Sequence, residues 1–364
     1  MRWLRWGGMA LALIVVAGFF AFRLSPWPTV AIIAYAFSDG DQASEAALEK
    51  HVPGGIVTRA DLRYGSKRDE LFDLYRRESA PARQATIVWV HGGAWIAGSK
   101  AGVANYLRVL AGRGFTTIGV EYSTGRKSRY PQPVEQVNAA LGHILRNADA
   151  LGVDPDHIIL AGDSAGAQIA AQVSLLTTDP AYARALGVTP QLDAQDIKGL
   201  LLLSGAYDIG SVDLHGDYGW FVRTILWAYS GSHDFMNDER FRLASITDHV
   251  TSNFPPSFVS SGNGDPLLPQ AKRLTERLRL LGVPVEALFF PDGHEPALPH
   301  EYQFNLDDPA GRKALDRIVN FARLSKGGAA STGTWMQQSR SGAHSVALAP
   351  WSAPPLRRSY GKGE

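Results

Sequence analysis

Short apolar runs rich in β-branched residues alternate along the chain with longer stretches whose apolar positions recur every three or four residues. The short runs predict strands at 56–62, 71–75, 86–90, 115–120, 158–161, 200–203, 258–261 and 285–290. The longer patterns predict helices near 101–113, 134–151, 165–177, 267–281 and 310–324. The first two strands follow one another with no room for a helix between them, whereas the later ones are separated by helices. That rhythm implies a mostly parallel sheet with an antiparallel start, covered on both faces. Residues 207–250 interrupt it. This long interval between two strands carries Trp220, Phe221, Trp227, Tyr229, Phe235 and Phe241, and is expected to form a cap over an apolar pocket.

The chain ends depart from this pattern. Residues 7–22 are free of charge, flanked by Arg2 and Arg5 before and Arg23 after. Sixteen helical residues reach about 24 Å against a hydrocarbon layer of roughly 30 Å, so the stretch spans only if the arginines snorkel and 4–24 are counted. The reading adopted is a single-pass membrane helix with the rest of the chain on the non-cytoplasmic side. A cleaved signal peptide, leaving a secreted or periplasmic protein, and a buried apolar helix are the alternatives. After the Pro26-Trp27-Pro28 break, residues 29–37 form a second apolar run, too short to span. It is expected to lie on the membrane surface or to cover the main domain. Beyond residue 324 the sequence turns to Gly, Ala, Ser, Thr and Pro and reads as a disordered tail. The expected division is therefore 1–37 as an N-terminal segment, 38–324 as the main domain with the cap at 207–250, and 325–364 as tail.

Composition narrows the chemistry. The 364 residues include no cysteine, which removes disulfide scaffolds, thiolate metal sites and cysteine nucleophiles together. The formal net charge of +1 hides a partition, because residues 38–324 hold 28 basic and 34 acidic side chains. An acidic core argues against nucleic acid as a partner.

Two motifs carry the candidate chemistry. Gly162-Asp163-Ser164-Ala165-Gly166 has the G-x-S-x-G form directly after a predicted strand and before a helical stretch. Small residues on either side let the chain turn sharply and leave the Ser164 hydroxyl exposed above the strand. The second motif, His91-Gly92-Gly93-Ala94-Trp95, also follows an apolar strand, and its small residues let backbone N–H groups approach a developing oxyanion.

On these two motifs the chain resembles the α/β-hydrolase superfamily, in particular the esterases similar to hormone-sensitive lipase, over roughly residues 55–324. The resemblance implies an α/β-hydrolase fold: a mostly parallel eight-stranded sheet with helices on both faces and a helical cap. It implies an oxyanion hole made by the N–H groups of Gly93, Ala94 and Ala165, with His91 and Gly92 supporting the loop. It also implies the chain order serine, acid, histidine for a catalytic triad.

Asp265, in the segment Gly262-Asn263-Gly264-Asp265-Pro266-Leu267 after a strand, is similar to the family's D-P-L acid, with Asp208 as the rival. His294, in the loop after the last strand, is the expected base, and His300 lies six residues on. Two prolines between them forbid a helix, so the pair cannot form a helical H-E-x-x-H metal site; no metal or cofactor is expected. The expected activity is hydrolysis of carboxylic esters with small to medium acyl groups through an acyl-serine. An amide or formamide hydrolase, an acyltransferase and a non-catalytic binding module are the other readings. The basic loop at Arg126, Lys127 and Arg129 reads as a solvated loop.

Overall fold

The computed structural model describes residues 2–81 and 83–325, so all of the expected tail beyond residue 325 lies outside the described residues. A single eight-stranded sheet organises the rest, in the order β1-β2-β4-β3-β5-β6-β7-β8. Its members are β1 (Ile56–Arg63), β2 (Leu71–Arg77), β3 (Gln84–Val90), β4 (Thr116–Val120), β5 (Val153–Asp163), β6 (Ile197–Leu203), β7 (Ser257–Ser261) and β8 (Val285–Phe289). β2 pairs antiparallel with both β1 and β4, and all remaining pairs are parallel. The hairpin start and parallel continuation agree with the strand spacing.

Burial explains why the central strands read so plainly. Ile87, Val88, Trp89 and Val90 of β3, Ile158 to Ala161 of β5 and Leu200 to Leu203 of β6 are all fully buried. A strand covered on both faces needs apolar residues at every position rather than at alternate ones. The covering helices include α3 (Ala104–Gly112), α4 (Gln132–Arg146), α5 (Ala148–Leu151), α6 (Ser164–Thr178), α7 (Pro180–Leu186), α10 (Leu268–Leu280) and α11 (Pro309–Leu324). Asp179 starts α7 and Asp308 starts α11 as side-chain caps, each followed by proline in the first helical turn. The cap interval 207–250 contains α8 (Gly219–Ser230) and α9 (Glu239–Arg242).

The N-terminal segment differs from expectation. α1 (Arg2–Leu24) stops at Ser25-Pro26, and α2 (Trp27–Leu48) then runs unbroken through residue 37, where the domain boundary was placed. Among the described residues no single helix is long and apolar enough to cross a membrane. Val15–Leu24 and Trp27–His51 meet the requirement only as a pair bent by 82°. The expected single membrane helix is therefore not found. The apolar run 29–37 instead belongs to a helix that packs on the hydrolase body: Val30 and Ile33 are buried in the main core, and the Phe37 ring meets Phe221 of α8 at 6.2 Å. Arg126, from the basic loop, lies 5.5 Å over the Trp27 ring at the start of the same helix.

Glu45 fixes the other end of α2. Its carboxylate accepts the Asn105 N–H in the first turn of α3 at 2.9 Å, and its backbone carbonyl accepts Asn105 Nδ2–H at 2.8 Å. The carboxyl group serves as a cap supplied by a neighbouring helix, where N–H groups lack partners, even though burial pushes its pKa up to about 7. Glu45→Ala should cost about 1 kcal/mol, lowering the thermal midpoint by about 2 °C. An unchanged melting curve would show that α2 is held without it.

Candidate active site

The nucleophile turn follows from two close approaches. A Cβ on Gly166 would lie 2.0 Å from the Val90 carbonyl oxygen, and one on Gly162 would lie 2.5 Å from the Gly166 carbonyl carbon. Glycine at both positions lets α6 start directly against the ends of β3 and β5. Ser164, the first residue of α6, is thereby held at φ 49°, a left-handed backbone rare for serine. It lines a cavity of about 1120 Å³ above the carboxyl ends of the strands.

The His91 loop forms an adjacent wall. Gly93, Ala94 and Trp95 have φ of 105°, 52° and 60°, and a Cβ on Gly93 would meet the Ala97 carbonyl oxygen at 2.3 Å. Gly92, Gly93, Ala94 and Ala165 all line the cavity with Ser164. His91 is buried behind the loop, stacked on Tyr122 at 4.2 Å. Its Nδ1 lies 2.8 Å from the Gly92 carbonyl oxygen, and its Nε2 lies 3.4 Å from Glu121 Oε1. The Glu121 Oε2 accepts the Lys100 N–H at 3.0 Å, so one carboxylate braces both ends of the loop. Trp95 completes the support by stacking on Tyr229 of α8 and donating Nε1–H to Gln168 of α6.

Asp265 lies where the sequence placed it, in the turn after β7. It is buried; its Oδ1 accepts the Leu267 N–H at 2.9 Å, and its Oδ2 accepts the Ser261 hydroxyl at 2.7 Å. Burial would raise its pKa, but hydrogen bonds from His300, Leu267 and Ser261 overcome that and hold it below the ordinary aspartate value. The rival Asp208 is engaged elsewhere: its carboxylate pairs with Arg273 of α10, and its N–H donates to Gln270.

The histidine differs from the sequence reading. His300, not His294, reaches the serine: its Nε2 lies 3.0 Å from Ser164 Oγ and its Nδ1 lies 3.0 Å from Asp265 Oδ1. His294 sits in a tight turn, its N–H donating to the Pro291 carbonyl and its ring against Phe290 at 4.9 Å. The cause is a clamp from the β7 turn. Asn263 donates to the His294 carbonyl and accepts the Leu298 N–H, while Gly264 N–H donates to the Leu298 carbonyl. A Cβ on Gly262 would lie 2.3 Å from that same carbonyl oxygen. The chain must therefore pass Leu298 and Pro299 before it turns over Asp265. Burial alone would make the His300 ring less basic, but the hydrogen bond to Asp265 and the charges of Glu301, Asp265 and Asp163 push it up to about 9.

Two helices roof the cavity. Phe37 and Asp41 come from α2, and Trp220, Phe221, Val222, Ile225 and Leu226 come from α8, so the lining is largely apolar away from the serine. α8 lies within the interval 207–250, and α2 carries the apolar run 29–37. No group of His, Asp and Glu side chains able to hold a metal occurs among the described residues.

A fold of this topology, with a serine on a strand-to-helix turn and a histidine and a carboxylate arriving from later loops, defines a class of hydrolase. The chain belongs to the family described as alpha/beta hydrolase fold, whose model matches residues 87–296. It is 30% identical over 231 residues to "Esterase LipC" of Mycobacterium tuberculosis, covering 61% of this chain and 55% of that protein. It is 27% identical over 237 residues to "Acetyl esterase" of Salmonella paratyphi B, covering 63% of this chain and 70% of that protein. The chain thus spans about half the length of the mycobacterial relative. The crystal structure of esterase B from Lactobacillus rhamnosis shares the fold with a TM-score of 0.72 at 19% identity, over 87% of this chain and 98% of that one.

Proposed function

We propose that the protein is a serine carboxylesterase acting on esters of small to medium acyl groups through an acyl-serine intermediate. The observation that carries this reading is the pair of 3.0 Å contacts running from Ser164 through His300 to Asp265. A serine hydroxyl is a weak nucleophile at neutral pH, so His300 Nε2 takes its proton as Oγ attacks the ester carbonyl carbon. Asp265 holds the Nδ1–H side of the ring and stabilises the imidazolium that forms. The N–H groups of Gly93, Ala94 and Ala165 receive the carbonyl oxygen as it becomes an oxyanion, each worth on the order of 3 kcal/mol in the transition state. Collapse breaks the bond to the alcohol oxygen, which leaves with the proton from His300. Water, deprotonated by the same nitrogen, then releases the acid and regenerates Ser164. The curated relatives named as esterases support ester hydrolysis, and the apolar roof suits an acyl chain. Hydrolysis of p-nitrophenyl acetate, butyrate and octanoate by wild type and Ser164→Ala tests the reading, and equal turnover by both removes it.

We also propose that α1 holds the protein at a membrane, with the hydrolase body on the non-cytoplasmic side. Val15, Val16, Phe19, Phe20, Phe22 and Leu24 all face outward, each at least half exposed, and basic residues without acids flank the run. The full chain should remain in carbonate-washed membranes of cells that make it, and a chain starting at Ser25 should be released. Recovery of the uncleaved full chain in the soluble fraction would overturn this.

A further inference from the structure

The residue after His300 is a glutamate in an unusual position. Glu301 has φ 58° and ψ 32°, a left-handed backbone that is rare for a glutamate. It is secured by its N–H, which donates to Ser204 Oγ at 3.2 Å; Ser204 is fully buried at the end of β6 and itself left-handed at φ 49°. The turn aims the carboxylate back into the cavity. Its Oε1 lies 3.6 Å from His300 Nε2, the same nitrogen that faces Ser164.

Behind Glu301 lies Asp163, the residue before the nucleophile, which is buried and accepts Trp89 Nε1–H at 2.6 Å. Burial first, and then the neighbouring Glu301, push the Asp163 pKa far up. Glu301 is the carboxylate whose Oε1 faces the histidine. Gly92 is what allows Asp163 and Glu301 to meet, because a Cβ there would lie 2.3 Å from Asp163 Oδ2 and 3.0 Å from Glu301 Oε1.

We propose that Glu301 is a positioning residue for His300: a second carboxylate, set at the edge of the ring opposite Asp265, that stabilises the imidazolium at Nε2 and sets the lower pH limit of ester hydrolysis. This rests on the esterase reading above. A carboxylate at this distance favours the protonated ring in the resting enzyme as well as during attack, so activity is displaced toward alkaline pH. The other ionisable groups around the ring are Asp265 from the turn after β7, Asp163 at the end of β5 and Asp41 of α2 on the cavity wall, with the His91–Glu121 pair behind the loop. Among them, Asp265 faces Nδ1 and Glu301 faces Nε2.

The test is the pH profile of kcat/KM for p-nitrophenyl butyrate, measured with the full chain as wild type, Glu301→Gln and Glu301→Ala, each checked for folding by thermal melt. The wild-type acidic limb is expected well above the ordinary imidazole value of about 6.5. Both variants should move it down by about 1 to 2 pH units, with a lower plateau kcat. A role confined to holding the loop would lower the plateau and leave the limb in place. A limb that superimposes on wild type for either folded variant overturns the inference while leaving the esterase reading intact, and a wild-type limb near 6.5 overturns it without any variant. Undiminished hydrolysis by Ser164→Ala would instead defeat the esterase reading itself.

Discussion

Replacing Ser164 by alanine is expected to lower kcat for a p-nitrophenyl ester by five to six orders of magnitude, to about the level set by binding and the oxyanion donors alone. The size of the loss follows from the proposed covalent route, in which without Oγ no acyl-enzyme forms and water must attack unaided a carbonyl that the site only polarises. Folding should survive, because alanine faces the same left-handed strain at φ 49° as serine and removes a single oxygen. The variant therefore has to be assayed beside its own melting curve. A folded Ser164→Ala that keeps more than a few per cent of wild-type turnover would mean that the hydroxyl at the head of α6 is not the nucleophile.

The second large effect separates two histidines six residues apart. His300→Ala should lose about four orders of magnitude or more in kcat, since in the proposed mechanism it removes both the base that activates Ser164 and the acid that protonates the leaving alcohol. His294→Ala should stay within a few-fold of wild type, because its ring packs on Phe290 while its backbone makes the contacts that shape the loop. The reverse outcome, with His294→Ala inactive and His300→Ala active, would overturn the geometry from which the whole proton path is drawn.

That pair also shows where sequence reasoning stops. All eight strands were legible: the central ones because a strand buried on both faces must be apolar throughout, as Leu200 to Leu203 is, and the largely exposed β1 because it opens on a β-branched run, Ile56-Val57-Thr58. β5 was traced only over its apolar centre; its opening residues, Val153 to His157, include three polar side chains and a proline. The nucleophile turn was legible because its requirements are local: small residues within two positions of Ser164. The base was not, because its position depends on Asn263, Gly262 and Gly264 gripping Leu298, a contact between residues about 35 apart with no trace in the spacing of either segment. Glu301 could have been noticed as an acid beside a histidine, yet only its backbone turn shows that it points inward. α2 was missed as a continuous helix because its second half, from Ser38 on, is polar and small, and the face it buries is defined by the cavity it covers.

The apolar first helix and the hydrolase body therefore have no clean seam between them. The 22 residues that begin at Trp27 are an extension of the first helix by connection and a ceiling of the reaction chamber by contact. Trimming the chain for handling in water has to end at the bend, since a cut made just ahead of the sheet would strip the chamber of Phe37 and Asp41 and expose it to solvent.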